Sequence, residues 1–261
     1  MNSVNKTLYI PLSGKAFVSK KGIILSDEKA EEIWQSCGFA LSGKAKSKWL
    51  AYYMAMRSAT FDEWTKAKIA QRDNPVVLHL GCGLDARAIR VGTEGTTWFD
   101  VDFDSVIAER KKFFAENENY KMVCADLKDE RFMGELPRAK RAVVIMEGVS
   151  MYLSNEQLQN LFCALCNHFE NLDVLVDCYT SFGAKMSKIK NPVKDVGVST
   201  VYGIDSPTVF ETGTCLKFVR EHSLTPKQYV DQLKGLEKFV FRTLYAGKIA
   251  KKLYKLYEFE S

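Results

Sequence analysis

Residues Val76 to Arg87 read VVLHLGCGLDAR, and this stretch decides the fold. A buried-type strand runs straight into Gly81-Cys82-Gly83, and a helix is expected to start near Asp85. Two glycines allow a sharp backbone turn and let a ligand lie against the chain with no Cβ in the way. Such a turn sits at the carboxyl edge of a parallel sheet, where ligands bind. With Ala86 in the last position the string also satisfies the dinucleotide fingerprint G-x-G-x-x-G/A, so a nicotinamide-dependent oxidoreductase stands as an alternative.

Outward from this turn, short β-branched runs alternate with longer amphipathic segments, the pattern of a parallel sheet with helices on both faces. Strands are predicted at Val76 to Leu80, Thr96 to Val101, Tyr120 to Cys124, Ala142 to Met146 and Leu172 to Cys178. Helices are predicted at Ser105 to Glu116 and at Asn155 to Phe169, the latter opened by a capping box of Ser154 and Gln157. Before the sheet the chain reads as helix. Ala30, Ile33, Trp34 and Cys37 share one face behind an N-cap at Ser26, and a longer helix runs from Ser47 to Gln71, ended by Asp73-Asn74-Pro75. Residues 180–215 mix Gly, Pro, Ser, Thr and Lys without a steady period and read as an insertion. Further on, Thr225 is expected to cap a short helix with Pro226 at its first position, and LEKFVFRTLY (236–245) has strand composition. Gly247 to Tyr257 puts Ile249, Leu253 and Leu256 on one face of an expected terminal helix whose lysines face solvent.

The 261 residues suit a single domain, divided into a helical cap (1–74), a cofactor-binding core (75–180) and an insertion with the C-terminal part (181–261). Hydrophobic residues at 46% and charged residues at 26% exclude disorder and coiled coil as whole-chain readings. The net charge of +5 is too mild to mark a nucleic-acid binder. No apolar run reaches membrane-spanning length and no signal peptide is legible, so a cytoplasmic protein is expected. The seven cysteines are odd in number and mostly set in apolar segments, which fits buried thiols in a reducing compartment; Cys163 and Cys166 in LFCALC read as helix packing, not half of a zinc site.

Acidic or polar residues close four successive strands. They lie in GCGLD, in WFDVDFD, in MVCADLKD and in MEGVSMYL. Asp100 and Asp102 are both candidates for a ribose diol, with Asp102 favoured, and Asp126-Leu127 falls where an adenine would lie. This line of acids is richer than two phosphates would tolerate nearby, and it suits S-adenosylmethionine, whose sulfonium and ammonium are cationic and whose one carboxylate needs a basic partner.

LGCGLDAR, WFDVDF, ADLKD and MEGVSMYL, with KTLYIPLSGKA, SKWLAYYMAMRSATFDEW and the closing GKIAKKLYKLYEFE, resemble the leucine carboxyl methyltransferase superfamily, in particular its bacterial branch of tetracenomycin-type polyketide O-methyltransferases. The resemblance implies a Rossmann-like class I methyltransferase fold, α/β with a mostly parallel sheet. It also implies bound S-adenosylmethionine and methyl transfer to oxygen, in many members a carboxylate oxygen. It assigns Gly81 and Gly83 to the methionine part of the cofactor, Asp102 to the ribose, Asp126 and Leu127 to the adenine, and Glu147 to the amine. Arg57 would pair the cofactor carboxylate, with Lys15 as a second basic position.

The expected acceptor is a small molecule or a chain end, with neither nucleic acid nor membrane as partner; a cofactor-binding protein without transferase activity is the other alternative. No residue carries the marks of a catalytic base. By type the candidates are Glu147, Tyr152, Tyr179, Tyr202 and His222, while His79, inside a strand, reads as a core residue. No compact Asp/His cluster points to a metal. Tyr52, Tyr53, Tyr152, Tyr179, Phe182, Tyr202 and Phe210 are candidates for an aromatic acceptor wall.

Overall fold

The structure is a computed structural model and describes residues 3–38, 41, 43–190, 201–247 and 250–261. Among the described residues three α-helices precede the sheet: α1 (Ser3–Lys20), α2 (Glu28–Ser36) and α3 (Lys48–Ala70). Strands β1 (Val76–Leu80), β2 (Thr97–Asp102), β3 (Tyr120–Cys124), β4 (Arg141–Met146) and β5 (Asn171–Tyr179) then alternate with α4 (Arg87–Val91), α5 (Asp104–Arg110) and α6 (Asn155–His168). The chain closes with α7 (Ser181–Lys190), α8 (Thr208–Glu211), β6 (Lys217–Glu221), α9 (Lys227–Val230), α10 (Gly235–Leu244) and β7 (Tyr254–Glu260).

The sheet order is β3-β2-β1-β4-β5-β7-β6, parallel from β3 through β5, with β7 antiparallel to both β5 and β6. Successive strands run outward from β1 in one direction and from β4 in the other, so the β1/β4 boundary is the switch point where a crevice opens at the carboxyl edge. Alternate strand residues divide the core into two layers. Leu78, Leu80, Val144, Met146, Val174 and Val176 pack with Leu158, Leu161 and Phe162 of α6, while Val77, Val143, Ile145 and Leu175 pack with Leu12 of α1 and Phe61 and Trp64 of α3. Every residue of β1 is buried, as expected for an inner strand covered by helices on both faces.

The five parallel strands stand within one residue of their predicted bounds, and the capping box at Ser154 and Gln157 forms as read. Ser47 precedes α3 and Gln71 ends it, as predicted. Elsewhere the structure corrects the sequence reading. The N-cap of α2 is Asp27, not Ser26, its carboxylate accepting from Ala30 N at 2.8 Å. Helix α5 ends at Arg110, short of Glu116. Pro226 is itself the N-cap of α9, so Thr225 lies outside that helix. LEKFVFRTLY forms α10: Phe241 and Tyr245, one turn apart, stack on each other, Phe241 packs against Tyr52 and Tyr245 against Trp49. The expected terminal helix does not form: Ala250–Lys252 make a short 3-10 turn, and strand β7 begins at Tyr254, with a register against β5 that runs from Asp173↔Glu260 to Tyr179↔Tyr254. Ile249, assigned to that helix, and residues 191–200 of the insertion lie outside the described residues.

Cysteine pairing is a further correction. Cys166 of α6 and Cys215, just before β6, form a disulfide, while Cys37, Cys82, Cys124, Cys163 and Cys178 are free. The bond closes a loop across 49 positions and ties the end of the insertion to α6. Peptide mapping without reductant is expected to recover the α6 peptide joined to the Cys215 peptide; recovery of both as free thiols from fresh protein would show the bond is not native.

Candidate active site

The glycine turn is fixed from below. Gly81 and Gly83 adopt φ of 70° and 54°, and Gly81 N and Cys82 N both donate to Val101 O at the end of β2. A Cβ on Gly81 would sit 2.2 Å from Val149 Cγ2, so glycine is required there both by conformation and by close approach. Beneath the turn, Arg110 Nη1 donates to Gly83 O at 3.0 Å while its other arm ion-pairs with Asp100. Asp100 also accepts from Tyr120 OH and Trp98 Nε1 and lies 3.2 Å from His79 Nδ1. Burial alone would raise the Asp100 carboxyl, but Arg110 and these neighbours hold it down at about 2. His79 is thus a core residue, as read.

Asp100 and Asp102 lie two apart and project to the same side of β2, so depth separates their roles. Asp100 is locked inside; Asp102, at the strand end, lines the cavity above the turn, accepting from Gly83 N and Phe103 N, both at 2.8 Å. Burial pushes the Asp102 carboxyl up, against the pull of those two backbone donors.

All eight residues singled out in the sequence, Lys15, Arg57, Gly81, Gly83, Asp102, Asp126, Leu127 and Glu147, line one cavity of about 620 Å³ at the carboxyl edge. Leu8, Ile10 and Pro11 of α1 close it from above, and Leu8 packs over Gly83. Asp126 stands at the rim in a turn, accepting from Lys128 N, with Leu127 buried beside it.

Lys15 and Arg57, the cavity's two buried cations, are held by acids. Lys15 Nζ lies 2.7 Å from Asp85, which also pairs with Arg87 and Arg90. This makes Asp85 a member of a buried charge network and not a helix cap; α4 is preceded by Ala86. Arg57 is 5% exposed; its Nε donates to Glu147 at 2.9 Å and its Nη1 to Asp177 at 3.0 Å. Arg87 reaches Glu147 from the other side. Burial would raise the Glu147 carboxyl, yet Arg57 and Arg87 pull it below the ordinary range, so it is a fixed anion and not a base.

Asp177, Tyr254, Leu244 at the end of α10 and Tyr245, the C-cap of that helix, were missed in the sequence. Asp177 Oδ1 accepts from Gly148 N at 2.7 Å, joining the end of β5 to the turn after β4. Extending the strand-end rule from four strands to the fifth would have found it. Tyr254 belongs to the segment read as helix, and its hydroxyl lies 3.4 Å from Arg57 Nη1. Of the aromatic candidates, Tyr53, Tyr152 and Tyr179 line the cavity; Tyr52 and Phe210 are core residues, and Phe182 and Tyr202 are exposed away from it. His222 is paired with Glu258 at 2.6 Å outside the cavity.

Carboxylates at Asp102, Asp126 and Glu147 would repel a pyrophosphate set among them and attract a sulfonium and an ammonium. The crevice therefore defines a class I, S-adenosylmethionine-dependent methyltransferase. The sequence profile of the family described as leucine carboxyl methyltransferase matches residues 11–166. The chain belongs to that family, and it is an S-adenosylmethionine-dependent O-methyltransferase. It is 26% identical over 243 residues to the tetracenomycin polyketide synthesis O-methyltransferase TcmP of Streptomyces glaucescens, covering 92% of this chain and 90% of that protein. The magnesium protoporphyrin IX methyltransferase (ChlM) of Synechocystis, solved with bound SAH, shares the fold with a TM-score of 0.53 at 11% identity, over 89% of this chain and 92% of that one. Geranyl diphosphate C-methyltransferase of Streptomyces coelicolor shares it with a TM-score of 0.50 at 14% identity, over 85% and 82%.

Proposed function

We propose that the chain works as one methyltransferase domain that methylates a carboxylate or hydroxyl oxygen of a small-molecule or chain-end acceptor. The observation that carries the reading is the convergence of eight sequence-assigned cofactor residues and an aromatic wall on one cavity. Asp102 would hold the ribose, Asp126 and Leu127 the adenine, Glu147 the amine, and Arg57 with Lys15 the carboxylate. The bound cofactor supplies a methyl carbon activated by positive sulfur. The protein's own contribution is alignment of the acceptor and exclusion of water, for which α1 roofs the cavity. TcmP, a polyketide synthesis O-methyltransferase by name, supports a small-molecule acceptor.

The mild net charge of +5 supports a partner that is not a nucleic acid, and no helix among the described residues is long and apolar enough to cross a membrane. A cytoplasmic location is supported by five free thiols, against which the single disulfide stands.

Titration calorimetry with S-adenosylhomocysteine and NAD, followed by methyl-labelled cofactor with an acceptor panel, tests the reading. Binding of the sulfur nucleoside and base-labile label on a carboxylic acid are expected; label in RNA or DNA, or binding of NAD alone, would overturn it.

A further inference from the structure

Helix α10 buries one side and leaves the other bare. Phe241 packs against Tyr52 and Tyr245 against Trp49, which fastens that side of the helix to α3. At about 100° per residue, Leu236, Phe239, Val240 and Leu244 fall on an arc of roughly 140° turned away from this contact. Leu236, Phe239 and Leu244 are 76%, 62% and 64% exposed and stand outside every hydrophobic cluster of the described residues. Single exposed apolar side chains are ordinary on a protein surface, but three on one face of a ten-residue helix make a patch.

The chain's charge is gathered at the same place. From the start of α9 through the turn at Ala250–Lys252, residues 227–252 hold seven basic and two acidic side chains, a net +5. The rest of the chain holds thirty of each and is neutral, so the whole net charge sits in this segment. Both acids in it are already engaged, Asp231 by Lys227 and Lys238, and Glu237 by Lys21 and Lys48. Lys234 and Arg242 are exposed and have no acidic partner among the described residues. Lys238 and Arg242 border the apolar arc on the side of Phe239.

We propose that α10 docks the protein on an anionic lipid bilayer, its apolar arc sunk to headgroup level and the cations of residues 227–252 set against the lipid phosphates. With both acids paired, this face offers a partner only apolar contact and positive charge, and an anionic bilayer supplies the complement of both. The docking is peripheral, since no helix among the described residues is long and apolar enough to span a membrane. It departs from the expectation of no membrane partner because LEKFVFRTLY read as a strand puts Leu236 and Phe239 on opposite faces, whereas the helix gathers them on one. Leu244 also lines the active-site cavity, so the docked face adjoins the crevice.

Flotation of the full chain with vesicles tests the proposal, using phosphatidylcholine alone and phosphatidylcholine with about one-third phosphatidylglycerol. Binding to the anionic vesicles, absent on the neutral ones and weakened by salt, is expected. The double variant Leu236→Asn/Phe239→Asn should weaken it by at least about tenfold, and Lys234→Gln/Arg242→Gln by roughly thirtyfold. All four side chains are exposed and lie outside the cavity, so the melting temperature and S-adenosylhomocysteine affinity should stay close to those of the parent. No binding to anionic vesicles, equal binding to neutral ones, or binding unchanged in the charge variant would overturn the proposal. Binding unchanged in the apolar variant would do the same, leaving a plain electrostatic patch of the kind an acidic protein meets. A dimer in sedimentation velocity that the apolar variant dissolves, with no vesicle binding, would assign the face to a second copy and overturn it as well. Vesicle binding is read without cofactor or acceptor, so its failure and a failure of the methyltransferase reading are separate results.

Discussion

Arg57→Ala is expected to weaken S-adenosylhomocysteine by about 2–5 kcal/mol, from roughly 30-fold to a few thousand-fold, because the cofactor carboxylate would enter a desolvated wall without its charged partner. The guanidinium lines the cavity, is 5% exposed and is aimed by Glu147 and Asp177, so its direction is fixed before ligand arrives. Fixed donors lose little freedom on binding, which is why removal costs more than a surface charge would. The variant should still fold: Glu147 keeps Arg87, and Asp177 can take up a proton. Calorimetric titration of Arg57→Ala beside Lys112→Ala, an exposed lysine just after α5 that does not line the cavity, gives the measurement. Equal affinities would remove Arg57 from the cofactor site.

The parallel half of the sheet was legible because buried inner strands must be continuously apolar and must end where ligands bind. VVLHL and AVVIM are such runs, and the positive φ at Gly81 and Gly83 is what the two glycines foretold. The C-terminal half was not legible for a different reason. Strand β7 reads YKLYEFE, and its Glu258 is buried against Lys68, Arg220 and His222, residues far away in sequence. A charged residue whose partners come from other elements looks like solvent-facing polarity until the fold is known. Strand β6, KFVRE, is exposed at every position and gives no hydrophobic period at all. Helix α10 misled in the opposite direction: its aromatic and β-branched content suits a strand, but the stacking of Phe241 and Tyr245 one turn apart beside α3 overrides that preference.

The site divides in the same way. Gly81, Gly83, Asp102 and Asp126 follow from strand-end chemistry alone. Arg57 and Lys15 came only from resemblance, since nothing in the pattern of α1 or α3 announces that a lysine and an arginine will be 3% and 5% exposed beside the turn. The Cys166–Cys215 bond had no local sign either, because pairing across 49 positions depends on where α8 and β6 fold back onto α6.

Asp177→Asn is expected to abolish a pH dependence of stability worth about 3 kcal/mol between pH 4 and pH 6. Burial raises the Asp177 carboxyl from 3.8 to about 6, with Glu147 adding to the shift and Arg57 and Gly148 N opposing it. In that window the folded protein holds a proton that the unfolded chain has released. Stability from this group is therefore fully present below about pH 4 and is lost as pH rises through about 6. The charged and titratable groups facing the carboxyl are Arg57 from α3, Glu147 after β4 and Tyr254 from β7; Arg57 and Tyr254 do not titrate there, and Glu147 is held below its ordinary range. Asparagine keeps the shape and an acceptor for Gly148 N but turns its NH2 toward Arg57 Nη1, which donates to the other oxygen in the parent; that adds a destabilisation independent of pH, so the pH-dependent part of the difference carries the test. Urea unfolding of both proteins across pH 4 to 7 isolates the contribution as a difference, in which the many other titrating carboxylates cancel. The parent should lose ground to the variant steadily as pH rises and then run parallel to it. A difference that is flat from pH 4 upward would mean that Asp177 is already ionised at pH 4 and that Arg57 outweighs the cost of its burial.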